Sequence, residues 1–195
     1  SKSRTTPMCC MPLAPLPGIR LSAASPFAVG CNTAAPSGTL YGNAEVEPQL
    51  AVDPTNPTHL VPAWQQNRFS NGGAQGLIAG VSTDGGQSWA RSSATFSHCN
   101  GGNAANGGDY DRASDPWVAF SPDGVVYMVA LSLTGDVLAP GSANAMLATR
   151  SADGGRNWGA PTTLVRGGSA GVNDTEACCA GAVAAHSGDV RGERI

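Results

Sequence analysis

The sequence is poor in charge, in aromatic rings and in long apolar runs. Charged residues make up 13% of its 195 residues, aromatic residues 6%, and the net charge is −3. The positive residues are one lysine and ten arginines, scattered singly along the chain. A nucleic-acid partner is therefore not expected, because binding would need a basic stripe or cluster. No apolar run reaches the roughly eighteen residues of a membrane-spanning helix, so no membrane span is expected either.

Ligand spacings typical of metal sites are also missing. The six cysteines contain no paired C-x₂-C motifs, and the three histidines stand far apart. We therefore expect neither a metal nor a cofactor. Cys31 and Cys99 flank the best-patterned part of the chain. They fit a disulfide of a secreted protein or two separate buried thiols, and the sequence favours neither.

Glycine and proline are abundant, with 26 and 14 residues. This composition favours many short strands and turns over long helices, and predicts an all-β fold. Residues 1–42 are predicted to form an irregular leader. Lys2 and Arg4 precede an apolar stretch that faintly resembles a signal peptide, but four prolines between residues 7 and 17 argue against its helix. A disordered leader is therefore favoured, without a convincing signal peptide.

An internal repeat is the most informative feature. Residues 82–89 (STDGGQSW) return at residues 151–158 (SADGGRNW), and residues 47–54 (EPQLAVDP) parallel residues 115–122 (DPWVAFSP). Both motifs recur in nearly the same register, which is hard to produce by chance. The shared octet positions include Ser82, Asp84, Gly86 and Trp89, then Ser151, Asp153, Gly155 and Trp158.

Turn chemistry accounts for these octets. An aspartate side chain accepts hydrogen bonds from backbone N–H groups two or three residues on, which fixes a turn. The glycine pair tolerates positive φ, and the tryptophan buries a large apolar face. The octet aspartates are therefore predicted to be structural and not catalytic.

Each repeat is predicted to contain four short antiparallel strands, as in a propeller blade. The first blade covers residues 43–98, with strands at 49–52, 59–65, 76–82 and 90–96. The second, with a loop insertion, covers residues 99–166, with strands at 117–120, 125–133, 145–150 and 160–165. After Arg166 the pattern stops, and residues 167–195 are predicted to be an irregular tail.

The octet S-x-D-x-G-x-x-W resembles the Asp box of bacterial neuraminidase (BNR) repeats. Residues 43–166 resemble secreted bacterial sialidase-like proteins, for example at residues 64–68 (WQQNR) and 112–117 (RASDPW). The resemblance implies a partial β-propeller of two blades from a six-bladed parent. It also implies a secreted or extracytoplasmic sialidase-like glycoside hydrolase of the exo-sialidase type, acting on a sialoside or other glycan.

Two blades are too few to close a propeller, which has about four to eight. We expect a truncated or frame-shifted N-terminal fragment that lacks the remaining blades and is inactive alone. Assembly of a ring from several partial chains is the alternative. The sequence also lacks the Arg-Ile-Pro motif of sialidases, and their catalytic Tyr/Glu pair and two arginines would lie in later blades. The alternative function is therefore a non-catalytic Asp-box propeller that binds carbohydrate or protein.

Candidate site residues are taken from the regions expected to face the propeller channel. Glycoside hydrolysis needs an acid/base carboxylate, sialidases use a tyrosine as nucleophile, and arginine suits a substrate carboxylate. The catalytic candidates are Glu47, Asp109, Asp111 and Asp115. The substrate-binding candidates are Arg68, Tyr110 and Arg112. A solvated insertion is the alternative for residues 109–115, and the equivalent repeat positions of Glu47 and Asp115 favour a structural role for both.

Overall fold

The structure is a computed structural model that describes residues 19–32, 37–135 and 142–168. The tail predicted at 167–195 lies outside this part of the chain from residue 169 onward. Within the described residues the only helix is a single 3-10 turn at His98–Asn100. None of the described residues form a helix with the length and apolar character that a membrane crossing requires.

Eight antiparallel strands make up the fold, so the all-β prediction is confirmed. Their bounds are β1 Leu40–Val52, β2 Leu60–Phe69, β3 Ala74–Val81, β4 Ala90–Ser92, β5 Arg112–Phe120, β6 Val126–Thr134, β7 Ala143–Ser151 and β8 Thr162–Gly168.

The strands fall into two four-stranded meanders. Unit 1 contains β1 to β4 and unit 2 contains β5 to β8, and each strand pairs with its sequence neighbour inside its unit. The pair Ala74–Ala113, between β3 and β5, joins the units into one open eight-stranded sheet. Each unit thus corresponds to one sequence repeat.

Four predicted strands differ from the structure by four residues or more at one end. β2 ends at Phe69 and not at residue 65, and β5 begins at Arg112 and not at residue 117. β1 begins at Leu40 and not at residue 49, because two bulges interrupt the alternation that would have marked the earlier residues. One of them contains Asn43, which has φ 61°. β4 ends at Ser92 and not at residue 96, because the chain turns inward there and buries Phe96 completely.

A single hydrophobic core draws on both units. Apolar residues on successive strands pack together in the dry region between the two meanders, and this burial supplies the main driving force for folding. Its fully buried large side chains include Val61, Leu77, Phe96, Val126, Met128 and Leu147.

The first octet forms a hydrogen-bonded turn between β3 and β4. Ser82 Oγ accepts the Gly86 N–H at 2.8 Å and donates to Asp84 Oδ1 at 2.7 Å. The Asp84 carboxylate also accepts the Ser88 N–H at 2.9 Å. The Ser88 hydroxyl also donates to Asp84, and this hydrogen bond has the largest effect on its pKa. Together the hydrogen bonds lower the pKa of Asp84 from 3.8 to about 2.

The second octet repeats this turn between β7 and β8. Ser151 Oγ accepts the Gly155 N–H at 2.8 Å and donates to Asp153 Oδ1 at 2.7 Å, and Asp153 accepts the Asn157 N–H at 2.9 Å. Hydrogen bonds lower the pKa of Asp153 below its ordinary value, and the one from the Asn157 side chain has the largest effect. Both octet aspartates thus use their carboxylate oxygens to accept hydrogen bonds within their own turns.

Residues 19–32, here called the strap, have no regular secondary structure but pack against unit 1. At Gly80 a Cβ would lie 2.8 Å from Leu21, and at Gly76 it would lie 2.7 Å from Phe27. A side chain at either position would therefore crowd a side chain of the strap. This part of the predicted disordered leader therefore has defined contacts, whereas residues 1–18 and 33–36 lie outside the described residues.

The strap is covalently attached to unit 1. Cys31 and Cys99 form a disulfide with a Cα–Cα distance of 4.9 Å. Beside it, Gln75 Nε2 donates to Asn32 Oδ1 at 2.9 Å, and the Asn32 side chain reaches the Asp111 carbonyl. The disulfide therefore links the strap to the loop that follows β4.

Candidate functional site

Glu47 and Asp115 occupy equivalent β-bulges on the first strands of the two units. Each precedes a proline and has a left-handed backbone, with φ 54° at Glu47 and φ 50° at Asp115. Each bulge inserts one extra residue, between Val46 and Gln49 in β1 and between Ser114 and Trp117 in β5. Positive φ at non-glycine residues costs about 1–3 kcal/mol and is often found at functional sites. The bulges also redirect side chains, and this brings the side chains of Glu47 and Asp115 towards each other.

Asp115 lies near enough to Glu47 for its charge and its side chain to raise the pKa of Glu47. Gln65 Nε2 donates to Glu47 Oε2 and, at 3.0 Å, to Ser114 Oγ. Arg68 Nη1 donates to Gln65 Oε1 at 3.1 Å. We call these five residues the carboxyl cluster. Gln65 is fully buried beneath it, whereas Glu47 and Asp115 are exposed, so solvent and ligands can reach the pair.

The environment of Glu47 favours its protonated form. Partial burial, followed by the charge and hydrogen bond of Asp115, raises the pKa of Glu47 above its ordinary value of 4.5. The Arg68 charge and the Gln65 hydrogen bond oppose that rise. Glu47 is therefore easier to protonate than an isolated glutamate.

Carboxyl titration by ¹³C NMR is expected to separate Glu47 from Asp84. Glu47 should titrate above pH 4.5 and Asp84 near pH 2. Because the folded pKa of Asp84 is depressed, its hydrogen bonds stabilise the fold above about pH 3.8, and this contribution is lost as the pH falls through about 2. If Glu47 and Asp84 both titrated near their ordinary pKa values, the described surroundings of the two carboxyl groups would be contradicted.

The candidates Asp109 and Asp111 meet at a histidine that the sequence did not single out. His98 contacts Asp109 Oδ1 through Nε2 at 2.8 Å and Asp111 Oδ1 through Nδ1 at 3.1 Å. The Asp111 side chain is 4% exposed and the Asp109 side chain 60% exposed. No described contact joins this group to the carboxyl cluster, so the structure divides the four catalytic candidates between two places.

Two of the three substrate-binding candidates are buried. Arg112 is fully buried, and its guanidinium lies 4.3 Å from the centre of the Phe69 ring. It donates to the carbonyls of Gly72 and Ser37, both at 2.8 Å. Tyr110 is 4% exposed. This geometry favours structural roles for both, whereas the half-buried Arg68 belongs to the carboxyl cluster.

An open groove of about 380 Å³ runs beside β1. It lies between the strap and unit 1 and is mainly apolar, with Arg20 and Glu45 as its charged residues. Its lining also includes Leu21, Ser22, Val46, Pro48, Pro62 and Trp64. Across the described ranges, no group of three or more metal-ligating side chains is placed to hold an ion.

Similarity to known proteins was found among solved structures. No family model and no curated protein matches the chain. Among solved structures, the Hadza microbial sialidase Hz136 is similar, with a TM-score of 0.49 and 21% sequence identity. The similarity covers 62% of this chain and 26% of the sialidase chain. The chain thus spans about a quarter of the length of that protein.

Proposed function

We propose that the two units are blades of a sialidase-like Asp-box β-propeller. Each unit is a four-stranded antiparallel meander whose third and fourth strands are joined by the same serine–aspartate turn. Each first strand also has an acidic bulge before a proline. The recurrence of three features in one order supports a repeat architecture in which further units extend the sheet.

The carboxyl cluster is proposed to bind carbohydrate. The observation that carries this proposal is the pair of exposed carboxyl groups, Glu47 and Asp115, on equivalent left-handed bulges in the first strands of neighbouring units. In a propeller these strands line the central channel. Carboxylates accept hydrogen bonds from sugar hydroxyls, and Gln65, fixed by Arg68, holds one of them in place.

For the whole protein we propose a glycosidase of the exo-sialidase type, to which this chain contributes only part of the site. Sialidases use a tyrosine as nucleophile, and none of the cluster residues is a tyrosine. The chain alone is therefore expected not to hydrolyse glycosides.

A non-catalytic, carbohydrate-binding propeller is the second candidate. It is favoured by the full burial of Arg112, whose guanidinium donates to the backbone carbonyls of Gly72 and Ser37. The disulfide between Cys31 and Cys99 fits either candidate, because disulfides persist in oxidising compartments outside the cytoplasm. We propose a secreted location for both.

Ligand-observed NMR with sialyllactose and lactose, together with a fluorogenic sialoside assay, tests the proposal. The wild-type chain should bind a glycan without hydrolysing the sialoside. The double variant Glu47→Gln/Asp115→Asn should bind about tenfold more weakly, as expected for the loss of one charged hydrogen bond.

Asp123→Asn is the matched control, because Asp123 lies in the β5–β6 turn and bonds Ser121. It should bind like the wild type. Equal binding by the double variant would place the glycan elsewhere, and absence of glycan binding by the wild type would reject the binding proposal. Sialoside turnover by this chain would contradict its expected inactivity.

A further inference from the structure

A buried asparagine on β2 uses every hydrogen-bonding position of its side chain. Asn67 is 5% exposed and has a left-handed backbone, with φ 62°. Its Nδ2 donates to Gln75 Oε1 at 2.6 Å and to Ser25 Oγ at 2.8 Å. Its Oδ1 accepts the Asn43 N–H at 2.8 Å and the Gln66 side chain at 3.3 Å. Both donor hydrogens and both acceptor lone pairs of the amide are therefore used.

The hydrogen bonds of this asparagine continue to two places on the strap. Ser25, whose hydroxyl accepts one of them, also donates its N–H to Asn43 Oδ1 at 2.8 Å. Gln75 donates from Nε2 to Asn32 Oδ1 at 2.9 Å and to Cys31 Sγ at 3.4 Å. The chain of contacts thus begins at the disulfide and ends on β2. We call its side-chain amides, Asn32, Asn43, Asn67 and Gln75, the amide network.

The part of this network inside unit 1 is deeply buried and neutral. Asn67 is 5% exposed, Gln75 is 4% exposed, and the neighbouring Gln66 is fully buried. Burying an amide costs free energy unless it is hydrogen-bonded, so a connected set of satisfied amides favours one arrangement of the strands. Removal of one member leaves its partners unsatisfied.

The network also fixes the register of β1 against β2. Residues 42–44 of β1 lie opposite the single residue Asn67, which makes a bulge in β1. Asn43, at the centre of that bulge, has φ 61° and donates its N–H to Asn67. Because a slip of one residue would turn each side chain to the other face, the bulge determines that Glu47 and not a neighbour meets Gln65.

Three residues of the carboxyl cluster lie next to these contacts. Gln65 and Arg68 flank Asn67 on β2, and Glu47 follows the bulge on β1. Gln65 donates to Glu47, and Arg68 donates to Gln65. The left-handed backbone of Asn67 sets the direction of the chain between Gln65 and Arg68. A change there would therefore move the side chains that orient Glu47.

We propose that Asn67 is a positioning residue for the carboxyl cluster, and that the strap, through the amide network, keeps it in place. The disulfide anchors the strap, the strap satisfies the amides, and the bulge then keeps Gln65 and Arg68 beside Glu47. This role rests on the glycan binding proposed above for the carboxyl cluster. Glycan affinity thus depends on a segment that is outside the cluster itself.

Asn67→Gly tests the contribution of the side chain. Glycine adopts a φ of 62° without strain, so the variant removes the amide and keeps the backbone conformation accessible. In ligand-observed NMR with sialyllactose and lactose, its affinity should be about fivefold lower than that of the wild type, as expected for the loss of one neutral hydrogen bond.

A second measurement reports the position of Gln65 without any glycan. Its side-chain amide donates to Glu47 and Ser114, and ¹H–¹⁵N NMR resolves such amides. In Asn67→Gly this resonance should move towards the position of a solvent-exposed glutamine, whereas the indole N–H resonance of Trp158 should stay unchanged. If the wild type binds no glycan, the proposed function fails, and the Gln65 resonance still decides whether the network positions the cluster.

Thr149→Val is the matched control. Thr149 on β7 is 5% exposed, as is Asn67, and donates to the Gly159 carbonyl at 2.6 Å. Valine keeps the branched shape and loses the hydrogen bond, so this variant also removes a buried hydrogen bond, but in unit 2. Its glycan affinity and its Gln65 resonance should equal those of the wild type.

Asn32→Ala tests the strap end of the network and leaves every strand residue in place. Asn32 bonds Gln75 and the Asp111 carbonyl, and neither partner belongs to the carboxyl cluster. The variant should shift the Gln65 resonance in the same direction as Asn67→Gly and lower glycan affinity about twofold. Combined with Asn67→Gly it should add little, because both substitutions act through one network.

Two results would overturn the proposal. An unchanged Gln65 resonance in Asn67→Gly and Asn32→Ala would show that the network does not position the cluster, and Asn32→Ala alone gives that decision if Asn67→Gly does not fold. Equal losses of glycan affinity in Asn67→Gly and Thr149→Val would assign the effect to general stability and not to positioning.

Discussion

The double variant Cys31→Ser/Cys99→Ser is expected to be less stable than the oxidised wild type by about 4 kcal/mol. The disulfide closes a loop with a sequence separation of 68, and a cross-link of that span strongly restricts the unfolded chain. Its loss also frees the strap to leave β2 and β3. Urea denaturation at neutral pH measures the effect as a lower transition midpoint.

Reduction provides the control for this variant. A thiol reductant should lower the midpoint of the wild type to that of the double variant and should leave the double variant unchanged. Intact mass before and after alkylation reports whether the two thiols are paired. Equal midpoints for the oxidised wild type and the double variant would show that the disulfide does not hold the strap in place.

Arg112→Met is expected to cost about 3 kcal/mol of unfolding free energy. Methionine fills part of the volume beside Phe69, but the carbonyls of Gly72 and Ser37 lose the guanidinium that satisfies them. Loss of the hydrogen bonds made by this fully buried, charged side chain accounts for most of the change. Urea unfolding followed by tryptophan fluorescence gives the change.

Arg68→Met is the matched control, because Arg68 is half-buried and donates to the Gln65 side chain. Its unfolding free energy should change by no more than about 0.5 kcal/mol, whereas its glycan affinity should fall. If Arg112→Met instead kept full stability and lost only glycan binding, the role predicted from sequence for Arg112 would be correct. The pair of variants thus separates a structural arginine from one that binds a ligand.

Features fixed by short-range chemistry could be predicted from the sequence. In the octets, Ser82 bonds partners two and four residues away, Asp84 bonds Ser88, and glycines allow the positive φ. All partners are visible within one motif. The same locality explains why strands on either side of these turns were placed within a few residues of their observed bounds.

The candidate site could be predicted only in part, because its partners are distant in sequence. The carbonyls that Arg112 bonds lie 40 and 75 residues away, so a charged residue expected on a loop is instead buried on β5. His98 was missed because no motif places it between Asp109 and Asp111. Only the 3-10 turn at His98–Asn100 and the chain reversal after it bring them together.

The bulges show a third limit of sequence reasoning. The repeat revealed that Glu47 and Asp115 are equivalent, and this equivalence favoured a structural role for each. It did not reveal that each of these residues has a left-handed backbone before its proline, or that Asp115 lies near enough to raise the pKa of Glu47. Backbone conformations of this kind depend on the neighbouring strand and are not encoded in residue type alone.

The disulfide also determines how the chain transmits mechanical tension. When the two ends are pulled apart, the load passes from Cys31 to Cys99 through the covalent bond. β1 to β4 lie between these cysteines and are therefore bypassed, so that among the described strands the force acts on those of unit 2. Its antiparallel strands can peel away one after another from β8 inward, while unit 1 keeps its full length of folded chain. Reduction places unit 1 in series with unit 2 and lengthens the extensible chain.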